Sequence, residues 1–486
     1  MTTLAPHGSR VDALVPGGGY WSGTWQDGSR RRTIRDPQDG AQVGVVAEVS
    51  AAETHAAVTD LLDAWQQTPW PVWRRRECLD LAAARVEARA ESFARLISAE
   101  GVKTLTEARR EVTRTAETLR LSARAAARLT GTTVPFQDSP RGAEWLGWTT
   151  REPIGLVAAI TPFNDPLNLA AHKVGPALIA GNPVVLKPAE QTPLTGLALA
   201  QVLLDAGVPP GLLAVLPGAE AGPALVADPR VAVVSFTGGS VTGDRIAAGG
   251  RARKLLMELG GNNAVIVCAD ASVPQAARLI VDAAFGVAGQ NCLSVQRVFV
   301  AEAIADELRT RIVELARALR VGRKEDPDTD IGPMVSEVAA RRVESAIGQA
   351  VATGAVLHTG GGRSGTFVEP TVLTAVPAAA QVRTEEMFGP VVLVDAFATI
   401  DEAITGANAT ENGMQAGVLT HDLDQALRIA DGLRVGAVLI NDSCDFRADG
   451  MPFGGMKRSG IGREGPDWAV EELTVPKIVA VHRSTG

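Results

Sequence analysis

Residues 181–218, GNPVVLKPAEQTPLTGLALAQVLLDAGVPPGLLAVLPG, carry two short apolar runs on either side of one helical stretch. PVVLK and LLAVL are too short for helices and read as buried strands, whereas LTGLALAQVLLDA supplies the apolar face of a helix. Thr192 is placed to cap that helix, Pro193 suits its first turn, and Gly207 is placed to end it. Strand, helix and strand in this order form a parallel crossover, which demands a sheet covered by helices.

Working outward, PIGLVAAI before this unit and VAVVSF after it extend the same alternation. A second α/β series begins at AVIVCAD and runs through RVFVAE, TFVEPTVLT, PVVLVDAF and GAVLINDS, separated by helices such as IADELRTRIVELARAL. Residues 50–128 are rich in Ala, Arg, Glu and Leu at helical spacing. Two β-rich pieces remain, TGTTVPFQDSPRGAEWLGWTTREP and LTVPKIVAVHRST; neither has enough partners of its own to form an independent sheet, so each is expected to pair elsewhere, on another subunit.

Composition narrows the function classes. The 486 residues are 46% hydrophobic, ample for two or three cores. Basic and acidic residues number 47 and 55, for a formal charge of −8, and the basic residues are scattered, which disfavours nucleic-acid binding. No uncharged apolar stretch reaches a membrane span and the N-terminus lacks the apolar core of a signal peptide, so a cytoplasmic protein is expected. Cys78, Cys268, Cys292 and Cys444 lie far apart with no CxxC pair, which points to neither a metal site nor a disulfide framework.

Ligands of an open parallel sheet gather beyond the carboxyl ends of its strands. Three such ends carry polar or special residues here: Thr161-Pro-Phe163-Asn164, Lys187-Pro-Ala-Glu190 and Phe236-Thr-Gly238-Gly-Ser240. FTGGSVTG is not GxGxxG, yet Gly238 to Gly243 open a helix whose free amides suit a phosphate, unless the segment is a plain turn. Lys187 and Glu190 suit a ribose, with Glu190 repelling a 2′-phosphate, unless they are a solvated loop. Cys292 follows a Gly-Gln-Asn turn and reads as a nucleophile or as a small buried residue. Glu258, just before a double glycine, reads as a general base or a surface charge.

TPFN, KPAE, FTGGSVTG, ELGG, GQNC, EEMFGPVV and MPFGGMKRSG follow one another over almost the whole chain, and together they resemble the aldehyde dehydrogenase superfamily. The resemblance implies an α/β fold in three parts: a Rossmann-like NAD-binding domain (1–128 and 151–257), an α/β catalytic domain (258–470), and a small β projection for oligomerisation (129–150 and 471–486). It implies that Cys292 attacks the aldehyde carbon, that Asn164 and the Cys292 amide hold the oxyanion, and that Glu258 activates the hydrolytic water. Cofactor contacts carried over are Thr161, Phe163, Lys187, Glu190, Gly238, Ser240, Gly243, Leu259, Glu386 and Phe388, with NAD expected over NADP. Glu464 matches a position assigned either to a proton path or to structure. Partners implied are a small aldehyde and further copies of the chain, as a homodimer or homotetramer.

Departures from the common pattern bear on the substrate. Phe163 stands where an aromatic Trp is frequent, ELGGN replaces ELGGK, and FRADGMPFGG is similar to the lactaldehyde and phospho- or phosphono-aldehyde branches. Arg447 then falls in the loop lining the substrate tunnel, with Asn291 and Phe453, and its guanidinium suits a phosphonate, phosphate, sulfonate or carboxylate. Asn291 replaces an arginine that phosphate-gripping members often carry, and Asp165 would repel an anion, so a neutral hydroxyaldehyde stands beside the anionic reading. Arg109 and Arg110 are candidates for the missing positive charge, or for a helix surface. The remaining alternatives are a coenzyme A-acylating semialdehyde dehydrogenase and a catalytically silent binding protein.

Overall fold

The structure is a computed structural model and describes residues 14–483. Five parallel strands form the centre of the first sheet, in spatial order Leu213–Val215, Val184–Lys187, Val157–Ile160, Val233–Thr237 and Lys254–Glu258. By position in the chain this is 3-2-1-4-5, the doubly wound dinucleotide-binding order. Its switch point lies between Val157–Ile160 and Val233–Thr237, so their carboxyl ends open one crevice.

The second sheet runs Val356–Thr359, Thr371–Thr374, Val391–Phe397, Val295–Ala301, Asn263–Val267, Gln415–Leu419 and Ala437–Ile440, parallel except for the first. Buried Val, Ile and Leu fill both sheets, as expected where helices cover both faces. Among the described residues no helix is long and apolar enough to cross a membrane.

Several details depart from the sequence reading. Thr192 precedes the helix Pro193–Asp205 but makes no side-chain cap; its hydroxyl is buried without a partner. Glu100, distant in sequence, accepts the Leu194 and Thr195 amides at 2.9 and 2.7 Å instead. Gly207 ends the helix region as expected, with φ +102°. The two β-rich pieces do not need another subunit to pair: Thr474–His482 lies antiparallel to Trp145–Pro153 over nine residues of the same chain. Lys254–Glu258 and Gln415–Leu419 are strands that the apolar-run reading passed over.

A buried ammonium joins distant parts of the chain. Lys324 is fully buried and donates to Asp36 at 2.7 Å and to the Gly101 carbonyl at 2.9 Å. Burial lowers its pKa, and the Asp36 carboxylate opposes that. Replacing it by a neutral side chain leaves Asp36 buried without its counter-charge. Lys324→Met is expected to lower the unfolding free energy by about 3–5 kcal/mol, read from urea denaturation.

Candidate active site

The turn before Cys292 is held in a costly conformation. Val287 and Ala288 have φ of +54°, unusual for a side-chain-bearing residue and more so for a β-branched one. Glu107 accepts the Val287 amide at 2.7 Å. Gln290, fully buried, donates to the Val287 and Pro333 carbonyls, each at 3.1 Å, and accepts the Val335 amide at 2.8 Å. Gly289 has φ +69°, and a Cβ there would collide with the Gly389 carbonyl. The chain thus enters the Val295–Ala301 strand with Cys292 in a fixed place.

Cys292 is only partly exposed and packs on Leu293, Met414 and Phe453. Its Sγ donates to Asn291 Oδ1 at 3.8 Å, and the same oxygen accepts the Leu293 amide at 3.1 Å. The Asn291 amide nitrogen donates to Asp445. Asn291, expected to face substrate, therefore has its amide committed to the thiol and to the half-buried carboxylate of Asp445. Burial and the nearby Glu386 carboxylate push the Cys292 thiol up, with Arg447 opposing, so the resting group is the protonated thiol.

Glu258 ends the Lys254–Glu258 strand, 3% exposed, and its Oε2 is buried without a hydrogen-bond partner. Burial and the charge of Glu464 raise it well above the carboxylate range. Glu464 is buried too, but Lys173 at 2.7 Å and Arg447 at 3.1 Å outweigh the desolvation and hold it ionised. A cavity with room for about one water lies among His172, Lys173, Glu258, Arg463 and Glu464. Two adjacent carboxyls with pKa values driven apart are the arrangement that yields one fixed anion and one proton carrier.

Arg447 reaches Glu464 at the edge of this cluster, and its guanidinium is not free. It stacks 3.8 Å from the centre of the Phe453 ring and gives one Nη to Glu464, while its Nε is buried with no partner. Phe453 and Glu464 are joined by paired backbone hydrogen bonds, 3.0 and 2.6 Å. Asp165 is neutralised by Lys103, with Arg114 at 3.7 Å. Arg114, which the sequence reading missed, also grips Asp449 through Nε and Nη2 at 3.2 and 2.8 Å. Arg109 instead pairs with Glu91 on the surface. Asp445 was missed as well; burial pushes it up to about 7. A single loop aspartate or helix arginine carries no periodic signal, so neither was separable from its neighbours.

Asn164 is 8% exposed in the turn after Val157–Ile160, and its side-chain amide makes no hydrogen bond among the described residues. Phe163 meets Phe388 edge to face, ring centres 5.8 Å apart, which brings that turn against the 386–388 segment. Phe388 itself has φ +49°. Glu386 accepts the Gly261 amide at 2.8 Å, and burial pushes it up to about 7.

The crevice of the first sheet fits a dinucleotide. The helix Ser240–Gly249 starts at Gly239 with no side-chain cap and open space around that residue, leaving its amides to a phosphate. Gly243 lies against Leu259, Gly238 donates to the Glu258 carbonyl at 3.0 Å, and Thr161 donates to the Lys187 carbonyl at 3.1 Å. Lys187 closes the second strand of the series and Glu190 follows it in the loop, Nζ to Oε1 3.9 Å.

The chain belongs to the aldehyde dehydrogenase family, whose model matches residues 25–479. It is therefore an oxidoreductase acting on aldehydes with NAD or NADP, in a family whose nucleophile is a cysteine. It is 46% identical to aspartate-semialdehyde dehydrogenase 1 of Pseudomonas canavaninivorans, over 92% of this chain and 96% of that one. It is 40% identical to 3-sulfolactaldehyde dehydrogenase of Priestia aryabhattai, over 95% and 97%. The crystal structure of NADP-dependent glyceraldehyde-3-phosphate dehydrogenase from Bacillus halodurans C-125 complexed with NADP superposes with a TM-score of 0.93. It shares 36% identity and covers 96% of this chain and 99% of its own.

If Glu258 must be ionised to act, the acid limb of the kcat profile lies well above the ordinary carboxylate range, because the burial that raises Glu258 keeps it protonated at lower pH. Glu258→Gln is expected to lower turnover by about 10²–10⁴-fold and to remove that limb, as measured by NAD(P)H formation across pH.

Proposed function

We propose that the chain oxidises a short polar or anionic aldehyde to the free acid, with Cys292 as nucleophile, Glu258 as base and Asn164 as oxyanion donor. The carrying observation for the chemistry is Glu258 itself: a buried carboxyl with an unpartnered oxygen, set beside the ionised Glu464. Ionised Glu258 takes the Cys292 proton and passes it to solvent, and the thiolate attacks the carbonyl carbon, giving a thiohemiacetal. The free amide of Asn164 and the backbone N–H of Cys292 are suited to the oxyanion, and loss of one such donor costs roughly 10²–10³-fold. When bound, a nicotinamide would accept the hydride lost from the adduct carbon as its carbonyl re-forms, which leaves a thioester on Cys292. Lys187, Glu190, Gly238, Ser240, Gly243, Leu259, Glu386 and Phe388, with Thr161 and Phe163, are the residues suited to hold and face the cofactor. Glu258 takes a proton from the water that cleaves the thioester, which favours release of an acid over transfer to coenzyme A.

Arg447 supports the anionic side of the substrate reading. Its Nε has no protein partner, and its ring partner Phe453 packs on Cys292. An acceptor oxygen on a three-carbon aldehyde would satisfy that donor. The likeness to a 3-sulfolactaldehyde dehydrogenase agrees with this. The charge of Asp165, which by itself repels an anion, is offset by Lys103 and Arg114.

The test is NAD(P)H formation with 3-sulfolactaldehyde, lactaldehyde, succinate semialdehyde and aspartate semialdehyde, with and without coenzyme A, repeated on Arg447→Gln. Because Arg447 also holds Glu464, every rate should fall; the informative quantity is the ratio. The anionic substrate is expected to lose about 10- to 100-fold more kcat/KM than lactaldehyde. An unchanged ratio, with lactaldehyde preferred, would replace the anionic substrate by a neutral hydroxyaldehyde.

A further inference from the structure

We propose that Arg32 sets the cofactor range of this chain, opening the ribose site past Val184–Lys187 to a 2′-phosphate so that NADP is accepted beside NAD. The inference rests on the dehydrogenase reading above. In an open sheet of this order, a carboxylate past the second strand receives the ribose hydroxyls, whereas a nearby arginine accommodates a 2′-phosphate. This chain has both. Glu190 follows Lys187 in the loop, and Arg32 reaches it from the separate hairpin Arg31–Arg35 and Gln42–Ala47, Nη1 to Oε2 3.0 Å.

Four charged groups meet there. Lys187 lies 3.9 Å from Glu190, and Arg32 and Glu48 both bear on the charge of Lys187. Glu48 is committed to the Ala219 amide at 2.9 Å. Alone, Glu190 would repel a phosphate; paired with Arg32 its charge is offset. The pair is 33% and 38% exposed, a setting in which ion pairs are held weakly, so Glu190 can turn to solvent at little cost. The planar fork of Arg32 and the ammonium of Lys187 then face a phosphate carrying up to two negative charges, a stronger partner than one carboxylate. With NAD bound, Glu190 turns to the ribose hydroxyls instead.

The experiment is calorimetric titration of the full chain with NAD and with NADP, without substrate, for the wild type, Arg32→Gln, Arg32→Lys and Glu190→Gln, each checked for an unchanged thermal midpoint. The wild type is expected to bind both dinucleotides. Arg32→Gln should weaken NADP by about 10- to 100-fold and NAD by no more than about threefold, with Arg32→Lys between. Glu190→Gln should weaken NAD while keeping NADP. A ratio of NADP to NAD affinity that Arg32→Gln does not move, or a wild type that binds NAD alone, overturns the role of Arg32 and leaves the dehydrogenase reading standing. A wild type that binds neither overturns both.

Discussion

The site depends on a two-glycine link between sheets. Glu258 closes the last parallel strand of the first sheet and Asn263 opens the first strand of the second, so Gly260 and Gly261 carry the chain across. A Cβ on Gly260 would strike the Glu386 carboxylate, and one on Gly261 would strike the Cys292 carbonyl. Neither glycine is there for an unusual φ; each is there because another backbone or carboxylate must come close. Asn263 then ties the far side, donating to the Cys292 and Ser294 carbonyls at 2.7 and 3.0 Å. One short link thereby fixes Glu258, Cys292 and the Glu386 carboxylate with respect to one another.

Around that link, buried charge is arranged rather than avoided. Isolated ions would each cost several kcal/mol to bury, and the cost is met by pairing: Lys173 and Arg447 on Glu464, Lys103 on Asp165 and Glu111, Arg114 on Asp449. His172 joins the last pair through Asp449 at 3.0 Å, and burial keeps its ring from charging readily. Glu258 has no cation within hydrogen-bonding reach among the described residues, and burial together with the charge of Glu464 pushes it up. The fixed anion beside it has its charge because two cations hold it. The contrast between Glu258 and Glu464 comes from partners, since both are equally deep.

Much of this was legible in sequence, and the parts that were not share a physical reason. Runs such as PVVL and VAVVS announce buried parallel strands because β-branched residues crowd them, and the strand ends carried the site motifs with them. KLLME and QAGVL are strands too, but one begins with a lysine and the other is broken by glycine, so composition hid them. Thr192 looked like a cap because its position and type were right; Glu100 displaced it from a different helix. Arg447 was read as a tunnel-lining anion contact; its pairing with Glu464 and its seat on Phe453 come from packing. Ion pairs between remote segments, Arg32 with Glu190 among them, leave no periodicity behind.

The position of Arg447 also constrains the chemistry. Its positive charge opposes the burial that raises both the Cys292 thiol and Glu258, so it favours the thiolate and the working base at once. On the proposed reading, an anionic aldehyde bound to the free Nε would offset part of that charge just as the thiol must ionise. The thiol proton would then leave with less help from Arg447 and more need of a nearby acceptor. On the same reading Glu258, which burial raises, would be the acceptor that meets that demand. A neutral hydroxyaldehyde would leave the guanidinium's charge intact. Tight recognition of an anion and easy ionisation of Cys292 therefore pull against each other at this one side chain, and Glu464, by holding a fixed share of the guanidinium, limits how far a substrate can shift the balance.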